Sequence, residues 1–318
     1  MHIVMLEKIR HTMKGNVTQS ETYIYIFVLL AAIYVVLSLT LPVDRVALEK
    51  YDITESQSRL LGLTITVPLV AIWFTALYGF LHFKAYVRMV RSSKEGKSFS
   101  QLASGLMIVA FTLPIGGIIS TLLTYVARTS TDLAPTATIW RNYIGLILML
   151  AAFTFISRGA QGLIKTLGTR RALEYPKHSA LSLIVISSLF TALIVHHTGS
   201  SSQESTYYLP DWLIVTTLAI PYVYVWYKGM LAAYRLYVYK DKLRGPIYKK
   251  AYGQLAFGIA GIVGISIILQ LLGTFTAQLN RLTLAPILLI LYVLVGFYAV
   301  GYVFVARGAK KLKKIEEV

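Results

Sequence analysis

The chain lacks cysteine and is poor in acidic residues: its 318 residues include no Cys and 14 Asp and Glu, against 31 Lys and Arg. The absence of cysteine excludes disulfide frameworks, thiolate metal sites, cysteine nucleophiles and thiolate-bound iron–sulfur clusters. Charged residues make up 14% of the chain and apolar residues 56%, with a mean hydropathy of +0.63. Soluble globular domains carry roughly 25% charged residues, and disordered chains combine low hydrophobicity with high charge. Both classes are therefore excluded.

Long apolar runs are what the chain has in their place. A hydrocarbon core of about 30 Å requires roughly 20 helical residues, and each backbone amide inside it must find a partner within the chain. Eight runs meet this length and contain no Asp or Glu, so we predict an all-α polytopic membrane protein with eight transmembrane helices. They are residues 22–43, 60–83, 101–127, 135–157, 179–197, 212–234, 254–276 and 282–306.

The basic residues alternate between the connections. The N-terminal segment, residues 84–100, 158–178 and 235–253, and the tail from 307 hold 24 Lys and Arg and 7 Asp and Glu. The other four connections, counted with Arg141, hold 6 Lys and Arg and 7 Asp and Glu. Because cytoplasmic loops are enriched in Lys and Arg, both termini are predicted to be cytoplasmic, in a prokaryotic plasma membrane. The expected partners are the lipid bilayer, anionic headgroups at the cytoplasmic face and a membrane-protein partner or second copy, and not nucleic acid.

The chain also matches itself. A shift of 153 residues aligns 60–105 with 213–258 without a gap, and a shift of 149 aligns the fourth run with the eighth. This predicts two tandem parallel four-helix repeats, residues 1–173 and 174–318, related by an axis along the membrane normal. The matched pairs include Pro68 and Pro221, Trp73 and Trp226, and Gln101 and Gln254.

Polar groups at membrane depth are the first candidates for a site, because burying them is costly. Arg141 and Asn142, near the start of the fourth run, and Lys228 in the sixth form the candidate polar intramembrane site. The simpler account of both cations is a side chain long enough to reach the membrane surface. Arg141 and Asn142 stand opposite Ile290 and Leu291 in the other repeat, and this asymmetry favours a specialised half.

The matched pairs of the two repeats are candidates for helix kinks or helix interfaces. A proline in mid-membrane frees backbone carbonyls, as Pro68 and Pro221 would, and either kinks the helix or lines a cavity. Trp73 and Trp226 are expected to line a pocket or to pack. Gln101 and Gln254 begin equivalent helices and are expected to form an interhelical hydrogen bond.

Catalytic and cofactor chemistry are not favoured. The runs contain no carboxylate for an acid–base pair or for proton or sodium coupling, and the histidines lack the spacing of a metal or haem site, so no cofactor is expected. We therefore predict a non-enzymatic, permease-like or lipid- or small-solute-handling protein without proton or sodium coupling. The alternative is a non-catalytic membrane scaffold or partner subunit of a larger complex.

Overall fold

A computed structural model of the protein describes residues 2–41, 48–49, 52–129, 134–166, 211–274 and 284–316. Within these residues the chain is all-helical. The seven helices are α1 (His2–Thr40), α2 (Glu55–Met89), α3 (Gly96–Thr129), α4 (Ala134–Thr166), α5 (Asp211–Lys242), α6 (Pro246–Thr274) and α7 (Leu284–Glu316).

Six of the described helices contain a stretch long and apolar enough to cross a membrane, which is consistent with the predicted polytopic membrane protein. The helix α5, which contains the sixth predicted span, is not among them within the residues described. The fifth predicted span, residues 179–197, and the predicted boundary between the repeats at 173 and 174 lie outside the described residues. The six stretches are Ser20–Thr40, Glu55–Met89, Gly96–Val126, Ile144–Thr166, Pro246–Ile268 and Leu288–Ile315.

The helices extend past the apolar runs because local signals continue them. At the start of α2, Thr54 forms a capping box with Gln57, in which each side chain bonds the other residue's backbone N–H. One turn later the guanidinium of Arg59 lies 2.6 Å from the carboxylate of Glu55. Polar capping and charge pairs of this kind stabilise the polar end of a helix. A search for apolar runs does not detect such an end.

Close helix packing occurs at glycines on α3 and α6. A Cβ at Gly105 of α3 would lie 2.8 Å from the carbonyl oxygen of Ala152 on α4, and one at Gly258 of α6 would lie 2.7 Å from that of Gly301 on α7. Since real Cβ atoms do not come so close, only glycine permits these backbones to touch. Positions 105 and 258 are related by 153 residues, and positions 152 and 301 by 149.

Further contacts join the first four helices to the last three. The helix α7 packs on α2, where a Cβ at Gly79 would lie 3.2 Å from the Cα of Ala306. The helix α5 packs on α4, where a Cβ at Gly229 would lie 3.2 Å from a ring carbon of Phe153. The bundle is therefore held together by α2 against α7 and by α4 against α5.

The basic segments of the described helices lie at one end of the bundle. The end of α2 meets the start of α6, with the hydroxyls of Tyr86 and Tyr252 3.1 Å apart. The end of α4 lies beside the start of α3, and the end of α7 beside the start of α6. Tyr23 of α1 reaches the same level through Lys84. We call residues 84–100, 158–166, 235–253 and 307–316 the basic end.

Candidate functional site

A cavity of about 640 Å³ lies at the basic end between α1, α2 and α3. Its walls come from Tyr23 of α1, from residues 80–91 at the end of α2 and the following turn, and from residues 96–107 at the start of α3. The volume is that of a small-molecule site. We call the segment 80–107 the α2–α3 corner.

Four cationic residues line this cavity: Lys84, Arg88, Arg91 and Lys97. None of the described residues in its wall is acidic. Arg91 and Lys97 are exposed at the rim, while Lys84 and Arg88 are half-buried. A group of cations in a partly enclosed space attracts anions, and arginine guanidinium groups match phosphate and carboxylate oxygens in a bidentate manner.

Lys84 has a defined position in the cavity wall. Its ammonium donates a hydrogen bond of 3.0 Å to the hydroxyl of Tyr23 and lies 4.1 Å from the centroid of that ring. The same ring packs edge-on against Phe80, with centroids 5.6 Å apart. These contacts attach α1 to α2 and hold one positive charge at the inner edge of the basic end.

The cavity becomes apolar away from the basic end. Phe80 and Ala103 are buried in its wall, and Met107 is half-buried there. The step from Phe80 to Arg88 along α2 corresponds to about 12 Å of helix. The cations therefore occupy one end of the cavity and the apolar groups the other, along the direction of the helices.

Hydrogen-bonding groups separate the cationic and apolar parts. Ser100, Gln101 and Ser104 of α3 line the cavity in the first turns of that helix. Gly96, the first residue of α3, is buried in the same wall. The first turn of a helix directs backbone N–H groups outward and carries the positive end of the helix dipole, which adds to the positive potential of the cavity.

The acidic residue of the neighbouring turn interacts with the other half of the molecule. Tyr239 lies beyond the predicted sixth span, and its burial together with the nearby carboxylate of Glu95 raises the pKa of its hydroxyl to about 12. Glu95 is therefore close to α5. Its charge is not part of the cavity wall.

Four aromatic rings fill the centre of the basic end. Tyr86, Phe99, Tyr239 and Tyr252 are each at most 5% exposed. Tyr86 meets Phe99 edge-on with centroids 5.3 Å apart, and Tyr239 meets Tyr252 edge-on at 5.1 Å. Phe99 and Tyr252, themselves related by 153 residues, stack at 6.4 Å. This aromatic centre separates the α2–α3 corner from residues 233–260, which we call the α5–α6 corner.

The α5–α6 corner differs in how its charges are arranged. The positions that correspond to Lys84 and Arg88 are Tyr237 and Asp241. Lys240 lies 3.3 Å from the carboxylate of Asp241 and 3.7 Å from the centroid of Tyr237. The position that corresponds to Ser104 is Phe257, which packs edge-on against Phe304. In this corner one cation has an acidic partner, and a large ring replaces a hydroxyl.

The predicted polar intramembrane residues lie elsewhere in the bundle. Lys228 is 6% exposed, 5.1 Å from the ring centroid of Tyr224, in the half of α5 that packs beside Arg158 of α4. Its side chain is therefore buried among the described helices. Arg141 and Asn142 belong to α4, but their side chains lie outside the described part of the structure.

The predicted kink and interface residues have several different surroundings. Trp73 is 3% exposed and packs on Tyr34, with ring centroids 4.6 Å apart, whereas Trp226 is half-buried beside Tyr222. The helix α2 is continuous through Pro68. Pro221 lies within α5, and its side chain is outside the described set.

The paired glutamines are also placed differently. Gln101 lines the cavity, whereas the Oε1 atom of Gln254 is buried and accepts no hydrogen bond from the described residues. Among the described residues, the expected interhelical hydrogen bond of Gln254 is therefore not made through that oxygen. The two residues share a position in the sequence repeat but not a chemical environment.

Two features of the site were missed by the sequence analysis. The cations at 84, 88 and 91 were counted as part of the charge asymmetry between loops, whereas Lys84 and Arg88, four residues apart on α2, line one cavity together with Arg91 of the following turn. Arg235 was assigned to the same basic loops, but it is 2% exposed. It follows Lys228 by seven residues, a spacing that places both on one face of α5.

The described residues contain no group of three His, Asp or Glu side chains arranged to hold a metal ion. Comparison of the chain with protein-family models, curated proteins and solved structures finds no match.

Proposed function

We propose that this protein is a lipid-handling membrane protein that works without proton or sodium coupling. The observation that carries the proposal is the cavity of the α2–α3 corner, which is cationic at one end and apolar at the other. A cavity of that polarity beside a helix bundle suits a molecule that is itself part headgroup and part hydrocarbon. The proposal favours lipids over small polar solutes because the aromatic centre occupies the middle of the same end.

The proposed architecture is eight transmembrane helices in two tandem four-helix repeats, residues 1–173 and 174–318, with both termini cytoplasmic in a plasma membrane. Support comes from the corresponding contacts of the two halves. Gly105 and Gly258 approach equivalent positions of the following helix, and the pairs α2 with α7 and α4 with α5 are exchanged by the same repeat relation. The common position of the basic segments supports the orientation.

Lipid movement tests the function directly. The full chain is reconstituted into vesicles that carry fluorescent phosphatidylglycerol in both leaflets, and dithionite is added outside. In protein-free vesicles only the outer label is reduced. A lipid-handling protein makes the inner label accessible as well, without a pH or sodium gradient. Protein-containing vesicles in which the inner label stays protected would contradict the proposed function.

Cysteine labelling tests the orientation. Ser93, in the exposed turn after α2, and Glu49, before that helix, are replaced by cysteine one at a time in this cysteine-free chain. We expect an impermeant maleimide added to whole cells to label Glu49→Cys and not Ser93→Cys. Labelling of both from the same side would rule out a membrane crossing by α2.

A scaffold or partner subunit is the second candidate, with one observation in its favour. The four rings of the aromatic centre and the close contacts of α2 with α7 and α4 with α5 leave the middle of the basic end filled. A scaffold needs no passage through its middle. Co-purification of a stoichiometric membrane partner, together with no lipid movement in the vesicle experiment, would favour this function.

A further inference from the structure

The α2–α3 corner combines three features that a general membrane-surface belt does not require together. It has a partly enclosed volume, cations without an acidic residue in the described wall, and a polarity that changes along the helix direction. A belt needs only amphipathic side chains at the membrane surface. The combination indicates a binding site for a particular class of molecule.

We propose that this cavity binds one anionic phospholipid, with its phosphate between Arg88, Arg91 and Lys97. The beginning of an acyl chain then lies along Phe80 and Met107. The proposal deepens the proposed function, from which it takes the membrane setting, by naming the ligand class.

The cations match a phosphate diester better than a carboxylate or a neutral headgroup. Arg88 lies in the last turn of α2 and Arg91 in the turn that follows, and both guanidinium-bearing residues line the cavity. Lys97 lines the same cavity from the start of α3. Ser100 adds a hydroxyl that donates to a phosphate or glycerol oxygen, whereas the Ser104 hydroxyl donates to the backbone carbonyl of Ser100. Charge from two helices can therefore surround one tetrahedral anion.

The apolar end of the cavity distinguishes a lipid from a free phosphate ion. An inorganic ion would contact the cationic rim alone and leave Phe80, Ala103 and Met107 facing empty space. A lipid occupies both ends, because its phosphate and its first methylene groups follow one another along the membrane normal. The roughly 12 Å between Phe80 and Arg88 accommodates this order.

The inner cation, Lys84, marks the depth that the headgroup reaches. Its ammonium is held by the hydroxyl and ring of Tyr23 and lies 5.8 Å from the ring of Phe80. A phosphate placed between the rim cations would have this ammonium below it. The Tyr23 and Lys84 pair therefore separates the headgroup part of the cavity from the acyl-chain part.

The test measures lipid binding to the full chain in detergent by native mass spectrometry. The probes are dioctanoyl phosphatidylglycerol, dioctanoyl phosphatidylcholine and inorganic phosphate. The variant is the triple substitution Arg88→Gln, Arg91→Gln and Lys97→Gln. We expect wild-type protein to prefer phosphatidylglycerol, and the triple variant to bind it about a hundredfold more weakly, since each cation near an anionic surface is worth about fivefold.

The matched control removes three cations from the α5–α6 corner: Lys240→Gln, Arg244→Gln and Lys250→Gln. We expect its affinity for phosphatidylglycerol to change by less than about fivefold, the effect of one cation. Equal loss of phosphatidylglycerol binding in both triple variants would show that the lipid preference comes from the basic residues in general. That result would overturn the proposed site in the α2–α3 corner. The single variant Lys97→Gln, at an exposed rim position, provides the same comparison with Lys250→Gln if a triple variant does not fold.

The remaining measurements distinguish an anionic phospholipid from other ligands and separate the binding site from the proposed function. Equal binding of phosphatidylglycerol and phosphatidylcholine by wild type overturns the proposal. Displacement of phosphatidylglycerol by inorganic phosphate at equal concentration overturns it in favour of a soluble anion. A site-dependent lipid preference with no lipid movement in vesicles upholds the binding site and removes the lipid-handling function. Lipid movement and phosphatidylglycerol binding that are both unchanged in the first triple variant uphold the function and remove this site.

Discussion

The α2–α3 corner and the α5–α6 corner are related in sequence, but they arrange their positive charge differently. In the α2–α3 corner the cations surround a cavity whose described wall contains no acid. In the α5–α6 corner Lys240 is paired with Asp241 and covered by Tyr237. Similar numbers of basic residues therefore line a cavity in one place and include an ion pair in the other. The total charge of a loop does not determine how its cations are arranged.

The helix contacts beneath the two corners, in contrast, are alike, and the largest expected effect comes from disturbing them. Gly105→Ala and Gly258→Ala should each destabilise the protein by about 2–3 kcal/mol, because the new Cβ would overlap the carbonyl of Ala152 or Gly301. Thermal unfolding in detergent measures the loss. Similar losses support equivalent packing in the two halves.

The control for this prediction uses glycines on the same two helices. A Cβ at Gly116 of α3 or Gly264 of α6 meets nothing within 4 Å. Alanine at these positions should leave the melting temperature unchanged or raise it, since glycine is about 1 kcal/mol less favourable than alanine in a helix. A large loss at Gly105 with none at Gly258 would break the correspondence between the halves.

The second prediction transfers an acid from one corner to the other. Arg88→Asp places in the α2–α3 corner the residue found at position 241. Reversing one charge changes the corner by two charge units, so binding of phosphatidylglycerol should weaken by about 2 kcal/mol. The reciprocal change, Asp241→Arg, should leave that binding nearly unaltered. A larger loss of phosphatidylglycerol binding in Asp241→Arg than in Arg88→Asp would place the lipid in the α5–α6 corner and contradict the prediction.

The third prediction transfers a ring. Ser104→Phe introduces the residue found at position 257 and fills part of the cavity, so acyl-chain contacts are lost and lipid affinity should fall by about 1 kcal/mol. Binding of lipids of increasing chain length measures this effect. Phe257→Ser is the matched variant, for which the lipid affinity should stay the same.

The smallest expected effect concerns the inner cation. Tyr23→Phe removes the hydroxyl that accepts a hydrogen bond from Lys84 but keeps the ring beneath the ammonium. Such a bond contributes about 0.5–1.5 kcal/mol, so the melting temperature should fall slightly while the lipid preference remains. Tyr237→Phe removes the hydroxyl that interacts with Lys240 in the α5–α6 corner, so it should lower the melting temperature by a similar small amount and leave the lipid preference unchanged. Loss of lipid preference in Tyr23→Phe would show that Tyr23 itself contacts the headgroup.

Much of the fold could be predicted from apolar run length, but the ends of the helices could not. The second run was predicted over 60–83, whereas α2 covers Glu55–Met89. Hydropathy reports only on the part of a helix that faces hydrocarbon. The capping box at Thr54 and the charges near Arg88 continue the helix in water, where propensity and capping act instead.

The candidate site was less predictable than the fold. Gln101 was chosen for its position in the repeat, and it lines the cavity, whereas its counterpart Gln254 does not. Lys228 was chosen as an isolated charge in an apolar run, and it is buried against the protein. A hydropathy pattern identifies a polar residue at membrane depth, but not which helix faces it.

The sequence alone determined which segments form long apolar helices and how the basic residues alternate between the ends of those helices. Long apolar runs without carboxylates predict membrane-spanning helices, and the alternation of Lys and Arg predicts a basic end and a less basic one. Only the tertiary structure decided which basic residues surround a cavity and which are neutralised. That outcome depends on Tyr23, Lys84 and Lys97 converging from three separate helices. The distances between helices are set by close packing at glycines such as Gly105. Counting charges along the chain gives no information about those distances.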